Sequence, residues 1–157
     1  MALLEVDNLK TYFHTRNGVV KAVDDISFTL EKGEILGIVG ESGSGKTTLG
    51  RTLVRLLRPT SGTLLFQGRD ITRVSEPELR PIRDRMQIIF QEPRAALNPR
   101  RRVDDAVSQP LLAYGKVLNS RDAREHAGDL LHQVGLDPML GRMRRRHQVM
   151  SHILSGS

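Results

Sequence analysis

Hydrophobic and polar positions change their period several times along the chain, and each change marks an element. Residues 3–6 and 19–30 read as strands, the second with mixed alternation that puts Ile26, Phe28 and Leu30 on one face, and Asn17-Gly18 marks the turn between them. Glu31-Lys32-Gly33 is a second turn. The run Ile35-Leu36-Gly37-Ile38-Val39 is continuously apolar, the pattern of a strand buried on both faces at the centre of a parallel sheet. From Lys46 onward Leu49, Leu53, Leu56 and Leu57 recur at helical spacing, which predicts a helix with one buried stripe that Pro59 stops. Residues 62–67 form a short predicted strand, followed by a turn at Gln67-Gly68 and a helical piece over 77–85. Residues 86–90 are a second apolar strand ending at Gln91, and 92–99, with two prolines, must leave the sheet as a loop. Helices are predicted over 104–114 and 120–134. In the latter Ser120 serves as N-cap, Asp122 suits the first turn, Ala123, Ala127, Leu130, Leu131 and Val134 form the buried face, and Gly135 is the stop.

Between the apolar run at 35–39 and the amphipathic run at 46 lies Gly40-Glu41-Ser42-Gly43-Ser44-Gly45-Lys46-Thr47, which has the spacing GxxxxGK(S/T). A glycine-rich turn at a helix start lets main-chain N–H groups approach phosphate oxygens without Cβ interference, in the favourable field of the helix amino terminus. Gly40, Gly43 and Gly45 supply that freedom, Lys46 reaches the outer phosphates as a point charge, and the Thr47 hydroxyl is placed to hold a Mg²⁺ bridging the same oxygens. The strand-loop-helix context makes this a phosphate-binding loop in an α/β chain.

Composition narrows the setting. A chain of 157 residues with 38% hydrophobic residues fits one ordinary domain. With no cysteine there is neither a disulfide framework nor a thiolate metal site, and a reducing compartment is the natural setting. No run of eighteen apolar residues appears, and Glu5 and Asp7 interrupt what a secretory signal would continue as apolar. The formal net charge is +6, with basic clusters at 100–102 and 142–146. Aromatics are only 4% and none lies among these clusters, so the composition gives base stacking on nucleic acid no support.

These residues together resemble the nucleotide-binding subunits of ABC transporters, and more narrowly the ATPases of dipeptide, oligopeptide and nickel importers. The resemblance runs from about residue 3 to 136 and is carried by Ala22-Val23-Asp24-Asp25-Ile26-Ser27-Phe28, Gly33-Glu34, the loop extended to Thr48-Leu49, Pro59-Thr60-Ser61-Gly62, Ile89-Phe90-Gln91-Glu92-Pro93, and Ala96-Leu97-Asn98-Pro99-Arg100. The last piece is similar to the SLNPR segment of peptide importers, with Ala96 where Ser is usual. The resemblance implies a P-loop NTPase fold, α/β in class, with a RecA-like core, an antiparallel β subdomain and the start of a helical subdomain, incomplete within this chain. It implies ATP and Mg²⁺ as cofactors and assigns the nucleotide to Gly40, Glu41, Ser42, Gly43, Ser44, Gly45, Lys46, Thr47 and Thr48. Gln91 becomes the residue that touches Mg²⁺ or the attacking water and passes nucleotide state to membrane subunits. Phe13 or its neighbour Tyr12 stacks on adenine, and because successive strand residues point to opposite faces only one of them can do so. Implied partners are transmembrane permease subunits, a second ATP-binding subunit and, indirectly, a solute-binding protein, at the cytoplasmic face of the membrane.

The family pattern continues through LSGGQ, a Walker B strand ending in a catalytic glutamate, a D-loop and a switch histidine. Here Leu154-Ser155-Gly156-Ser157 and His147-Gln148-Val149 each match only part of the signature region. The expectation is therefore an N-terminal part of a nucleotide-binding domain over 1–142 and a divergent tail over 143–157. No catalytic residue is assigned: Asp70, Asp84, Asp104 and Asp105 lie on surface-like segments, and His147 and His152 are expected to be exposed. Two other readings stay open, a truncated module that binds nucleotide or a partner without turnover and a nucleic-acid-associated P-loop ATPase. The expected outcome of a phosphate-release assay on the purified chain with Mg-ATP is no turnover; steady release that Lys46→Ala abolishes would show that the essential acid is present after all.

Overall fold

The longest elements are two strands of equal length, β1 (Ala2–Thr15) and β2 (Gly18–Glu31), paired antiparallel through a two-residue turn at Arg16 and Asn17. The computed structural model describes residues 2–91, 97–98 and 100–139 and divides into two units, Met1–Ile88 and Ile89–Ser157. In the first, β3 (Ser61–Phe66) pairs with the other side of β1 and β4 (Arg69–Asp70) with β3, giving a four-stranded sheet in the order β2-β1-β3-β4, antiparallel throughout. Helix α1 (Lys46–Leu53) packs on β1 and β2, and α2 (Glu76–Arg83) supplies Leu79 and Ile82 to the same core as Leu4, Val6, Leu9, Leu49 and Leu64.

Sequence periodicity marked only residues 3–6 of β1, because Asp7-Asn8 breaks the alternation. The structure resolves this with a bulge: Asn8 adopts φ 47 and the pairing register shifts between Val6 and Leu9. Inward positions therefore switch from Leu4 and Val6 to Leu9 and Thr11, and both halves bury their apolar face. Gly62 on β3 makes the bulge possible. Its φ is +92, and a Cβ there would sit 2.4 Å from the Asn8 carbonyl oxygen.

Two predicted strands do not form. Residues 35–39 and 86–90 have no ladder partner among the described residues, and Ile35 and Val39 are 95% and 97% exposed. A strand buried on both faces takes its hydrogen bonds from neighbours on both edges, so apolar sequence alone cannot make one. Met86 alone of the second segment packs against the core.

Helix α1 also departs from expectation. It ends at Leu53 rather than near Pro59, because Arg55 takes φ 56 and the Leu56 N–H bonds the Arg51 carbonyl at 2.8 Å while the Arg55 N–H bonds that of Thr52 at 2.9 Å. This is a Schellman stop with arginine in the left-handed position, and it leaves Leu56 exposed instead of buried. Arg55 holds that strained position because its side chain, only 3% exposed overall, donates from Nε to the Ile71 carbonyl at 2.6 Å and from Nη2 to that of Val74 at 3.2 Å. Burial, with Arg58 nearby, lowers its pKa below the ordinary arginine value.

The second unit contains α3 (Val103–Ala113) and α4 (Ser120–Gln133), which pack on each other and are joined by Arg124 to Asp105 at 3.0 Å. The N-cap of α4 is Asn119, one residue before the expected Ser120: its side chain accepts from the Arg121 and Asp122 amides at 3.0 and 2.9 Å. Ala123, Ala127 and Leu131 are buried as expected, whereas Leu130 and Val134 are exposed. Gly135 is the left-handed stop. Asp104, expected at the surface, is 7% exposed and held by the Arg102 guanidinium. Residues 140–157, including His147 and His152, and 92–96 lie outside the described residues.

Gly62→Ala is expected to lower stability by at least ~1–3 kcal/mol, since left-handed strain adds to a backbone overlap. Gly50→Ala, inside α1 with nothing within 4 Å of its Cβ, is expected to raise it by ~0.5–1 kcal/mol. Urea unfolding midpoints of the two variants moving in opposite directions check both.

Candidate functional site

The loop between residue 40 and α1 is built by three close approaches. Gly43 and Gly45 take φ 81 and 91, which lets the chain reverse and enter α1. Ser44 N–H closes a turn on the Glu41 carbonyl at 3.2 Å. At Gly40 a Cβ would lie 2.7 Å from Ser44 Oγ, so any side chain there would make the Ser44 hydroxyl turn away. The tightest approach is at Gly45, where a Cβ would lie 2.0 Å from the Ala22 carbonyl oxygen.

Ala22 is the extra residue of a bulge in β2. Thr11 pairs with Val23 and Tyr12 with Lys21, leaving Ala22 without an opposite residue. Its carbonyl oxygen therefore faces the start of α1, next to the positive end of the helix. Sequence reasoning placed Ala22 in a segment of family resemblance but gave it no part in the loop, because the contact is made by a backbone atom. Thr11 and Thr52, buried and joined at 3.1 Å, were missed likewise: each reads as an ordinary strand or helix threonine.

Within the loop the Lys46 ammonium is ringed by acceptors. Nζ donates to the Gly40 carbonyl at 2.6 Å, to that of Glu41 at 2.5 Å and to Ser44 Oγ at 3.2 Å. With loop carbonyls drawn onto the ammonium, the loop is wrapped around a fixed positive charge. Helix α1 begins without a side-chain cap and without an acidic residue in its first turn, so its first N–H groups have no intrahelical acceptor. Thr47 is exposed in that turn, Thr48 is half-buried, and Glu41 and Ser42 are exposed on the loop. Ammonium, unpaired amides and a hydroxyl thus share one end of α1, an arrangement that attracts a multiply charged anion.

The two candidate aromatics differ in their surroundings. Tyr12 donates its hydroxyl to Asp24 Oδ1, and Lys21 Nζ, itself 3.4 Å from Asp24, lies 5.4 Å from the ring centroid. That hydrogen bond pushes the Tyr12 phenol up to about 12 and lowers the Asp24 carboxyl. Phe13, paired across the ladder with Val20, is 40% exposed. Gln91 is exposed in a bend of the second unit. Among the described residues no group of three or more His, Asp or Glu could hold a metal by itself.

The ABC transporter family matches residues 23–156. The chain belongs to the ABC transporter family. It is similar to the oligopeptide transport ATP-binding protein AppF of Bacillus subtilis (strain 168), 45% identical over an alignment of 144 residues that covers 87% of this chain and 44% of the relative. To OppF of the same organism it is 44% identical over 136 residues, 86% of this chain and 45% of the relative. The chain thus spans less than half the length of these ABC relatives. Among solved structures the dimeric ATP-binding cassette MJ0796, bound to ADP and Pi after hydrolysis, superposes with a TM-score of 0.75 at 23% identity, covering 90% of this chain and 61% of that one. The likeness establishes the ABC cassette fold, a P-loop NTPase, for this chain.

The Tyr12–Asp24 pair gives a pH signature. Because the folded-state pKa of Tyr12 lies above its ordinary 10.0, the bond's contribution is fully present below pH 10 and is lost as pH rises through about 12. Asp24, lowered from 3.8, contributes above that value and loses its contribution as pH falls below it. In ultraviolet titration, Asp24→Asn is expected to bring Tyr12 ionisation back toward 10; an unchanged titration would remove the hydrogen bond as its cause.

Proposed function

We propose that this chain is the nucleotide-binding part of an ATPase subunit that couples ATP binding and hydrolysis to the import of peptides or a related solute. The observation that carries the reading is the wrapping of the loop around the Lys46 ammonium at the open amino end of α1. In this reading the amides of Gly43, Gly45 and Lys46 and the ammonium take the phosphate oxygens, phosphate replacing loop carbonyls at Nζ, while the Ser44 amide keeps its turn to the Glu41 carbonyl. Gly40, Glu41, Ser42 and Thr48 shape the loop. Either Phe13 or Tyr12 stacks on the adenine; Phe13 is the more open ring, while Tyr12 must keep or break its tie to Asp24.

Thr47 is the residue of the first unit that would hold Mg²⁺. The fit rests on the donor set: a single exposed hydroxyl in the first turn of α1, with no cluster of three acidic or histidine residues among those described, suits a cation that keeps its waters and binds mainly through phosphates. When bound, Mg²⁺ would offset the negative charge of the phosphates. Gln91, a neutral amide that can both donate and accept, switches partners at little cost and reports nucleotide state to the membrane subunits.

The working partners are permease subunits, a second ATP-binding subunit and, upstream, a solute-binding protein, with the ATPase lying on the cytoplasmic face of the membrane. The names of the relatives support this setting, and no described helix is long and apolar enough to cross a membrane.

Calorimetric titration with Mg-ATP is expected to show one site per chain. Lys46→Ala removes charge-assisted bonds worth ~1.5–3 kcal/mol and should weaken binding roughly 10- to 100-fold; Thr47→Ala should abolish the dependence on Mg²⁺. Of Phe13→Ala and Tyr12→Ala, one should lose the ~1–3 kcal/mol of a stacked base and the other little. A folded sample indifferent to Mg-ATP would overturn the reading.

A further inference from the structure

The two ends of α1 are held by different parts of the first unit. At its amino end Gly45 rests on the Ala22 carbonyl. At its carboxyl end, Arg83 reaches over from the last turn of α2: Nη1 donates to the Val54 carbonyl at 2.9 Å and Nη2 to that of Arg55 at 3.1 Å. The same guanidinium is oriented by Glu76, at 3.0 and 2.9 Å from its two carboxylate oxygens. Arg55 answers in the other direction, holding the Ile71 and Val74 carbonyls on the path into α2. Each helix end thus grips the backbone that leads to the other.

Helix α1 has eight residues, a rod of about 12 Å. Such a short helix has little stability of its own and takes its orientation from what holds its ends. A small rotation at the carboxyl end turns the first-turn amides and Lys46 away from a common focus. Two guanidinium bonds to the carbonyls of the cap residue Val54 and of Arg55 just past it also place positive charge at the negative end of the helix while its positive end faces the loop.

Building on the nucleotide-binding reading, we propose that Arg83 is a positioning residue for the phosphate loop, acting through α1 from its far end. Its role is to set the aim of the loop toward the phosphates, and the base-stacking contacts do not depend on it.

The test compares Mg-ATP, by calorimetry, with adenosine, by ligand-observed NMR, on the unmodified chain, Arg83→Met and Arg83→Lys, with thermal unfolding run alongside. The expected result is Mg-ATP affinity about fivefold weaker in Arg83→Met, less than the loss of a direct phosphate contact because Arg83 acts only through α1, and adenosine affinity unchanged. Arg83→Lys, which keeps the charge and reaches one of the two carbonyls, should recover part of the loss; if Arg83→Met fails to fold, the same selective weakening in Arg83→Lys carries the test. Equal weakening of both ligands, or Mg-ATP affinity that stays unchanged in a folded variant, overturns the proposal alone. Absence of Mg-ATP binding by the unmodified chain overturns it together with the reading beneath it.

Discussion

The phosphate loop is seated by one backbone contact, the approach of Gly45 to the carbonyl oxygen of Ala22, and its geometry follows from that seat. The contact requires a bulge in β2 to turn the carbonyl out of the ladder, a residue without Cβ at the helix start, and a left-handed φ to lead the chain into α1. Each of these has a local cost, and they are compatible only together. Once Gly45 is seated, the first-turn amides and the Lys46 ammonium have a common direction.

The same economy appears in the sheet. Asn8 bulges, β1 changes which parity faces inward, and Gly62 leaves the space the bulge occupies. Burial of Leu4 and Val6 on one side of the bulge and Leu9 and Thr11 on the other is the gain that stabilises an irregular strand. At the far end of α1 the buried Arg55 plays a comparable part. Its guanidinium donates to the carbonyls of Ile71, Leu57 and Val74, and these hydrogen bonds, with the nearby Glu76 carboxylate, offset its desolvation.

Helices α1, α3 and α4 all end in the same hydrogen-bonded stop, but only two could be read in advance. Gly115 and Gly135 announce a left-handed residue by lacking a Cβ; Arg55 does not, and a leucine stripe running on to Leu57 argues for a longer helix. The signal that decided the matter was a side chain reaching Ile71 and Val74, sixteen and nineteen residues away. Residues 35–39 show the converse. Their apolar run is a strong strand signal, yet a strand is a relation between segments, and among the described residues no second segment completes it.

Read alone, the amino acids determined the loop: glycines at 40, 43 and 45, then lysine and threonine, define a phosphate cradle because those residue types answer backbone access, charge and hydroxyl ligation within eight positions. They also determined the hairpin turns, most of the helices and the family. Tertiary structure decided what depends on distant atoms: the parity switch in β1, the seat at Ala22, the early end of α1 and the clasp of Arg55 and Arg83. Those features are made by carbonyl oxygens and by register, which every residue type shares, so no spacing of side chains could have announced them.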